Sequence, residues 1–342
     1  MSLSIPAFFL ALSQYPALLL FSLLLLAVIL VNGWTDAPNA IATAVASGAI
    51  SFRRAVAMAA LCNLAGVFCA ALWCPAVAMT VSGAADFGRD PHVTCAALCA
   101  ALCAVALWAT AAWWFGIPTS ESHALLAALA GAALALPGGW SNLRAGPWGR
   151  VLLGLALSLV LGQRLGRRCA RFLDSHPLPS AALRAGQIGS AAAMAFLHGA
   201  QDGQKFLGVF LLGSALSRGR WEPDAPDFPL WLILLCAMAM ALGTLLGGRR
   251  IVEKIGRELV PLSPAAAFAA DLGGGAALLA CTLLGLPVST THTKTAAILG
   301  AGTALGGRAS RSAARSILLT WLFTFPGCSV LGFVLVRMWL LR

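Results

Sequence analysis

Two short stretches carry much of the available chemistry. Phe115 to Leu126 reads FGIPTSESHALL, and Leu284 to Thr295 reads LGLPVSTTHTKT. Each sets a proline ahead of hydroxyl residues and a histidine, at the edge of a long apolar segment. Pro118 and Pro287 can end an incoming helix and sit near the start of the next. The hydroxyls that follow are Thr119, Ser120 and Ser122 in the first copy, and Ser289, Thr290 and Thr291 in the second. They suit a helix N-terminus, where side-chain oxygens cap and free N–H groups point outward. The macrodipole adds partial positive charge, so such a tip favours an anion. Two tips meeting end to end would cage one small tetrahedral oxyanion. His123 and His292 would brace the tips by hydrogen bonds, or titrate.

A second pair of motifs supplies charge. NGWTDAPNAIATAV begins at Asn32 and HGAQDGQKFLGVF at His198. Of the twelve acids, Asp36, Glu121, Asp202 and Asp271 lie in apolar surroundings. The other eight (Asp86, Asp90, Asp174, Glu222, Asp224, Asp227, Glu253 and Glu258) fall in expected loops or at segment ends. A charge near a bilayer centre costs a few kcal/mol or more, which makes an acid there a functional candidate. Asp36 with Asn39, and Asp202 with Gln201 or Gln204, are hard oxygen ligands suited to Na+, or carboxylates able to carry H+. Gly33, Gly199 and Gly203 would ease unwinding of these segments. Lys205 and Lys294 each follow a motif, while nearly all arginines lie in loops or at segment ends. An anion held inside the membrane is therefore held mostly without arginine. A serine–histidine hydrolase needs a base and an orienting residue beside one nucleophile. Two equivalent copies argue against that, so the chain is not expected to be an enzyme. No GxxxxGK[ST] run suggests ATP coupling.

The surrounding elements are membrane helices. The 342 residues are 60% hydrophobic and 10% charged, with a mean hydropathy of +0.86. A soluble domain is about 25% charged. A span needs roughly 20 mostly apolar residues. Such segments lie near 7–32, 55–81, 93–115, 147–162, 188–216, 229–247, 262–284 and 316–341, with the motifs on 117–136 and 286–305. They are too long and too uniform for barrel strands. The expectation is an all-α integral membrane protein with about ten transmembrane elements. The first segment lacks a basic flank and a cleavage site, so it is expected to be retained. The net charge of +11 sits in short loops, which points to orientation in a bilayer and not to nucleic acid. The ten cysteines read as small packing residues. Trp114, Trp148, Trp221, Trp231 and Trp339 read as an interfacial belt.

The chain is written twice. The interval from Asp36 to Asp202 nearly equals the interval from His123 to His292, and the motifs keep their order. The run after Asp36 ends at Arg53-Arg54, and residues 163–187 carry five arginines and one aspartate; both read cytoplasmic. The segment holding Asp202 then leaves at 217–228, where Glu222, Asp224 and Asp227 meet two arginines. The first copy thus runs out-to-in and the second in-to-out. That predicts two inverted-topology repeats, each with a broken-helix hairpin: 1–162, a basic cytoplasmic linker at 163–187, and 188–342. Many secondary transporters share this plan, with their sites near the midplane.

At these residues the sequence resembles the inorganic phosphate transporter (Pit) family, as a compact bacterial-type member. The family's first motif, Asn-Asp-x-x-Asn, stands here as Thr35-Asp36-Ala37-Pro38-Asn39. Its second, close to His-Gly-x-Asn-Asp-Gly-Gln-Lys, stands as His198 to Lys205. Its Pro-x-Ser-x-Ser-His and Pro-Val-Ser-Thr-Thr-His hairpins look like 118–123 and 287–292. The resemblance implies import of inorganic phosphate by symport with Na+ or H+, without a further cofactor, in an inner (plasma) membrane. Thr119, Ser120, Ser122, Ser289, Thr290 and Thr291 would bind phosphate. Asp36, Asn39, Asp202, Gln201, Asp271 and Glu121 would bind the cation or carry the proton, with His123, His292 and Lys205 supporting. Partners implied are phosphate, membrane lipid and a second copy in a homodimer. Three departures stand out. Thr35 and Gln201 replace asparagines, and Glu121 replaces a small or hydroxyl residue. Another oxyanion such as sulfate is the alternative substrate.

Overall fold

The computed structural model describes residues 4–88, 90–115, 119–216, 228–253 and 259–340. Pro118, Trp221, Glu222, Asp224, Asp227 and Glu258, and with them the acidic stretch at 217–227, lie outside the described residues.

The described chain is helical. In order come α1 (Ile5–Gln14), α2 (Pro16–Thr35), a 3-10 turn (Ala37–Ile41), α3 (Ala42–Ala46), α4 (Phe52–Trp73), α5 (Ala76–Ser82), α6 (Pro91–Trp114) and α7 (Glu121–Leu134). A second 3-10 turn (Gly139–Asn142) leads to α8 (Ala145–Ser175), α9 (Ser180–Leu216), α10 (Leu230–Leu246), α11 (Arg249–Glu253), α12 (Pro264–Leu283), α13 (Thr290–Ala304) and α14 (Arg311–Leu340). Among the described residues there is no strand beyond one isolated bridge, Ala85 with Leu143.

Among the described residues, six stretches are long and apolar enough to cross a membrane: Pro16–Ala46, Phe52–Trp73, Pro91–Trp114, Ala145–Ser175, Pro264–Leu283 and Ile317–Leu340. Prolines explain where the apolar runs divide. The run at 7–32 splits at Pro16, and the run at 55–81 splits at Pro75, because proline has no N–H to continue a helix. The stretch at 163–187 is not a loop. Its first part continues α8 and its last part starts α9, so only 176–179 is non-helical.

The unwinding expected around Gly199 and Gly203 does not occur. The helix α9 runs unbroken for 37 residues, about 55 Å. These glycines serve close packing instead. A Cβ at Gly199 would collide with the Asn63 backbone of α4, and one at Gly203 would meet Val67. Gly33 on α2 sits equally tight against Met240 and Thr244 of α10.

Packing is exchanged between the two halves of the chain. The helix α2 lies on α10 while α9 lies on α4; α7 lies on α14 while α13 lies on α8. Gly131 of α7 abuts the Ser329 backbone of α14, and Gly300 of α13 abuts the Gln163 backbone of α8. These two glycines hold the same place in each copy, counted from His123 and from His292.

The ten cysteines are free thiols, and none is paired. Trp114 and Trp339 are exposed, as a belt requires. Trp148 and Trp231 are packing residues instead. Trp148 Nε1 donates to the Ala84 carbonyl at 3.1 Å, and Trp231 lies against Phe8 and Phe210.

Candidate functional site

Each hairpin tip is built by a serine cap. Ser120 is extended (φ −103°, ψ 107°), and its Oγ accepts from His123 N at 3.3 Å, which starts α7. Ser289 has nearly the same conformation (φ −84°, ψ 117°), and its Oγ accepts from His292 N at 3.1 Å, which starts α13. A serine in this role contributes about 1 kcal/mol. The tips meet, with the His123 and His292 ring centroids 4.4 Å apart. His292 also lies 3.6 Å from Trp321, and among the described residues its ring nitrogens have no hydrogen-bond partner. The histidines therefore brace the tips by packing, and the expected hydrogen bonds are absent at His292.

The remaining hydroxyls divide. Thr119 Oγ1 accepts from Trp108 Nε1 at 3.1 Å and lies 3.0 Å from Thr324 Oγ1, which fastens the first hairpin to α6 and α14. Ser122 and Thr291 face the acids. Thr290 Oγ1 is buried with no partner among the described residues.

Asp36 caps the C-terminus of α2, and the chain passes at once into the 3-10 turn. Its Oδ1 accepts from Asn39 Nδ2 at 2.7 Å and from the Thr291 hydroxyl. Asn39 Nδ2 also reaches Thr291 Oγ1 at 2.8 Å. Asp202 instead lies inside α9. Its Oδ1 accepts from Lys205 Nζ at 2.6 Å and Ser122 Oγ at 3.4 Å; its Oδ2 accepts from Asn32 Nδ2 at 3.1 Å and lies 3.4 Å from His198 Nε2. The two acids are thus bound crosswise: Asp36 to the second hairpin, Asp202 to the first.

Ligand atoms of Asp36, His198 and Asp202 all lie within 4.8 Å of one another. Around them Asp36 Oδ2, Asn39 Oδ1, Asn32 Oδ1 and Glu121 Oε2 are buried without a partner among the described residues. Buried polar oxygens are almost always satisfied by protein, water, a proton or an ion, so this group marks a place where one of these can bind. Hard, uncharged and anionic oxygens of this kind fit a small monovalent cation or a proton. Glu121 completes the group through its other oxygen, which bonds the Thr35 hydroxyl.

Three expected ligands are committed elsewhere. Gln201 Nε2 donates to Thr282 Oγ1 at 3.0 Å and to the Leu286 carbonyl at 3.2 Å, holding the chain that leads into the second hairpin. Gln204 Oε1 accepts from Val77 N at 3.0 Å and caps α5. Asp271 forms a fully buried ion pair with Lys294; Thr43 Oγ1 donates to it at 2.7 Å and Ser190 Oγ at 3.4 Å. Its charge already has a counter-ion.

Sequence reasoning left out Asn32, Thr43 and His198 as site residues. The signal for two of them was present. Asn32 precedes Asp36 by about one helical turn, and His198 precedes Asp202 by the same interval. Thr43 is joined to Lys294 and Asp271 only by folding.

Comparison with known proteins agrees with this geometry. The family described as Phosphate transporter family matches residues 32–176 and 171–332, one segment for each half. A probable low-affinity inorganic phosphate transporter of Mycobacterium bovis is 35% identical over 310 residues, covering 88% of this chain and 72% of the relative. The protein of the same description from Bacillus subtilis is 33% identical over 317 residues, covering 88% and 91%. One from Rhizobium meliloti is 36% identical over 315 residues, covering 88% and 90%. A solved structure described as the sodium-dependent phosphate transporter superposes with a TM-score of 0.83, covering 95% of this chain and 99% of that one. At 19% identity that likeness shows the fold alone. With the family matched through both halves, and with these relatives aligned over most of its length, this multi-pass membrane chain belongs to the phosphate transporter family.

Proposed function

We propose that the chain imports inorganic phosphate by symport with Na+ or H+, by alternating access around a site near the bilayer midplane of an inner (plasma) membrane. The observation that carries this reading is the crosswise binding of two buried acids to two converging hairpin tips. An anion seated at the tips meets the N–H groups of two helix starts and the hydroxyls of Ser122, Thr290 and Thr291. A cation held by Asp36, Asn39, Asn32 and Glu121 beside it would neutralise the charges. The two would then bind together better than either alone, which is the thermodynamic content of symport.

The exchanged packing supports the repeat reading. On this reading the eight helices α2, α4, α6, α8, α9, α10, α12 and α14, with hairpin helices α7 and α13, would make up the ten transmembrane elements. Residues 1–162 and 188–342 would form the inverted halves, joined at 163–187. Rocking of one set against the other around the hairpin tips would open the site to alternate sides. Relatives named for phosphate give the sulfate alternative no support. The nearby fold named for sodium favours Na+ as the first ion to try.

The test is radiolabelled phosphate uptake into proteoliposomes, with a Na+ gradient or a pH gradient imposed separately and sulfate as competitor. Uptake driven by one gradient, resistant to sulfate and abolished by Asp36→Asn, is expected. Equal uptake with no gradient of either ion would end the symport reading.

A further inference from the structure

Asn39 and Lys205 hold matching places. Each lies three residues after its aspartate, so the two correspond as the aspartates do. Their contacts match as well. Asn39 Nδ2 touches Asp36 Oδ1 at 2.7 Å and the opposite hairpin at Thr291 Oγ1, 2.8 Å. Lys205 Nζ touches Asp202 Oδ1 at 2.6 Å and the opposite hairpin at Ser122 Oγ, 2.5 Å; it also donates to the Val288 carbonyl at 2.5 Å.

The chemistry differs in one respect. An asparagine retains an acceptor, and Asn39 Oδ1 is buried with no partner among the described residues. An ammonium has three donors and no acceptor. Here a carboxylate, a hydroxyl and a backbone carbonyl take all three donors. Those are oxygen types that hold alkali cations in transporter cores. The backbone differs in the same sense. The α-helix ends at Asp36 and passes into a 3-10 turn, but α9 continues unbroken through Asp202.

We propose that Lys205 is a tethered coupling cation: its ammonium permanently fills the place beside Asp202 that a mobile cation would occupy if the residue were asparagine, as it is beside Asp36. The carrier then moves one fewer positive charge with each phosphate than a symmetric version would. His198, 3.4 Å from Asp202 Oδ2, and Asn32, whose Nδ2 donates to that oxygen at 3.1 Å, complete the surroundings of Asp202. The proposal rests on the symport reading above and adds to it the number and position of the ions.

The experiment uses the full chain in proteoliposomes. Phosphate binding and uptake are titrated with whichever cation drives the unaltered protein, and the membrane potential at which net phosphate flux vanishes is measured. Lys205→Asn is expected to bind phosphate only at higher cation concentration and with a steeper cation dependence. Its zero-flux potential should report one additional charge per phosphate. Lys205→Met, which offers neither donor nor acceptor, should not regain binding at any cation concentration. An unchanged cation slope and zero-flux potential in Lys205→Asn would reduce the lysine to a structural ion pair. Loss of phosphate binding in Lys205→Asn at every cation concentration would make it a ligand of the anion or a strut of the fold. Either result overturns the proposal while leaving symport by the unaltered protein intact. Absence of gradient-driven uptake in the unaltered protein would instead remove the parent reading.

Discussion

Asp36 and Asp202 approach the same two hairpin tips from opposite halves, but they are held in different ways. Asp36 sits where a helix ends, receives only neutral donors, and leaves one oxygen without a partner among the described residues. Asp202 sits inside an unbroken helix and is paired with an ammonium. The same asymmetry appears between α12 and the second hairpin. Asp271 and Lys294 form a buried ion pair, while the corresponding positions of the first half, at the spacing of the two histidines, are Leu102 and Leu125, both buried. The two halves carry matched motifs at matched spacing. Charge is placed unequally between them, so that Asp36 presents an open oxygen while Asp202 and Asp271 are paired with ammonium groups.

The largest effect expected from this difference is at Asp202. Replacing it by asparagine leaves the Lys205 ammonium buried without its carboxylate, a loss of about 3–5 kcal/mol. Asp36→Asn has no buried cation to strand. Its thermal midpoint in detergent should correspond to a change under about 1 kcal/mol, the size of a neutral hydrogen bond, although uptake is lost. Equal destabilisation of both variants would break the comparison.

The Asp271–Lys294 pair offers a second way to sharpen it. Either single replacement by leucine should cost about 3–5 kcal/mol, and the double replacement should recover most of that, because apolar residues of similar volume often substitute well for a buried pair. The double variant copies what the first half already contains. A double-mutant cycle of unfolding midpoints measures this, and purely additive losses would contradict it.

Smaller effects test the equality of the scaffold. Gly131→Ala and Gly300→Ala each drive a methyl into the backbone of the facing helix, and each should cost about 1–3 kcal/mol. Similar losses at both would support exchanged packing; a loss at only one would weaken it. The smallest effect is expected at His292, whose ring packs on Trp321 and His123. His292→Leu should change stability by less than about 1.5 kcal/mol, since the swap nearly conserves volume and adds no polar group. A larger drop would mean that its nitrogens have partners after all.

Much of this was legible in the chain itself. Apolar runs of span length, divided at Pro16 and Pro75, are local facts, because the missing N–H of proline acts on its own helix. The serine caps could be read for the same reason. So could the matched offsets of the paired motifs, which need no folding to be seen. The partner of each polar side chain could not be read. Gln201 and Gln204 look like ligands beside Asp202, but a helix sends neighbouring residues to different faces, and theirs meet α12 and α5. Glycines that suggested unwinding instead let helices touch.

The sequence by itself determined a membrane chain with paired motifs, the hydroxyl-rich helix starts, and the acids that must be buried among them. Those follow from composition, periodicity and spacing, which act over a few residues. Only the tertiary structure decided that Asp36 serves the second hairpin and Asp202 the first, that Lys205 lies beside one acid while Asn39 lies beside the other, and that Asp271 is already neutralised. These pairings join Asp36 to Thr291 and Asn32 to Asp202, far apart along the chain in each case. They are set by how the two halves pack, and no local pattern records that.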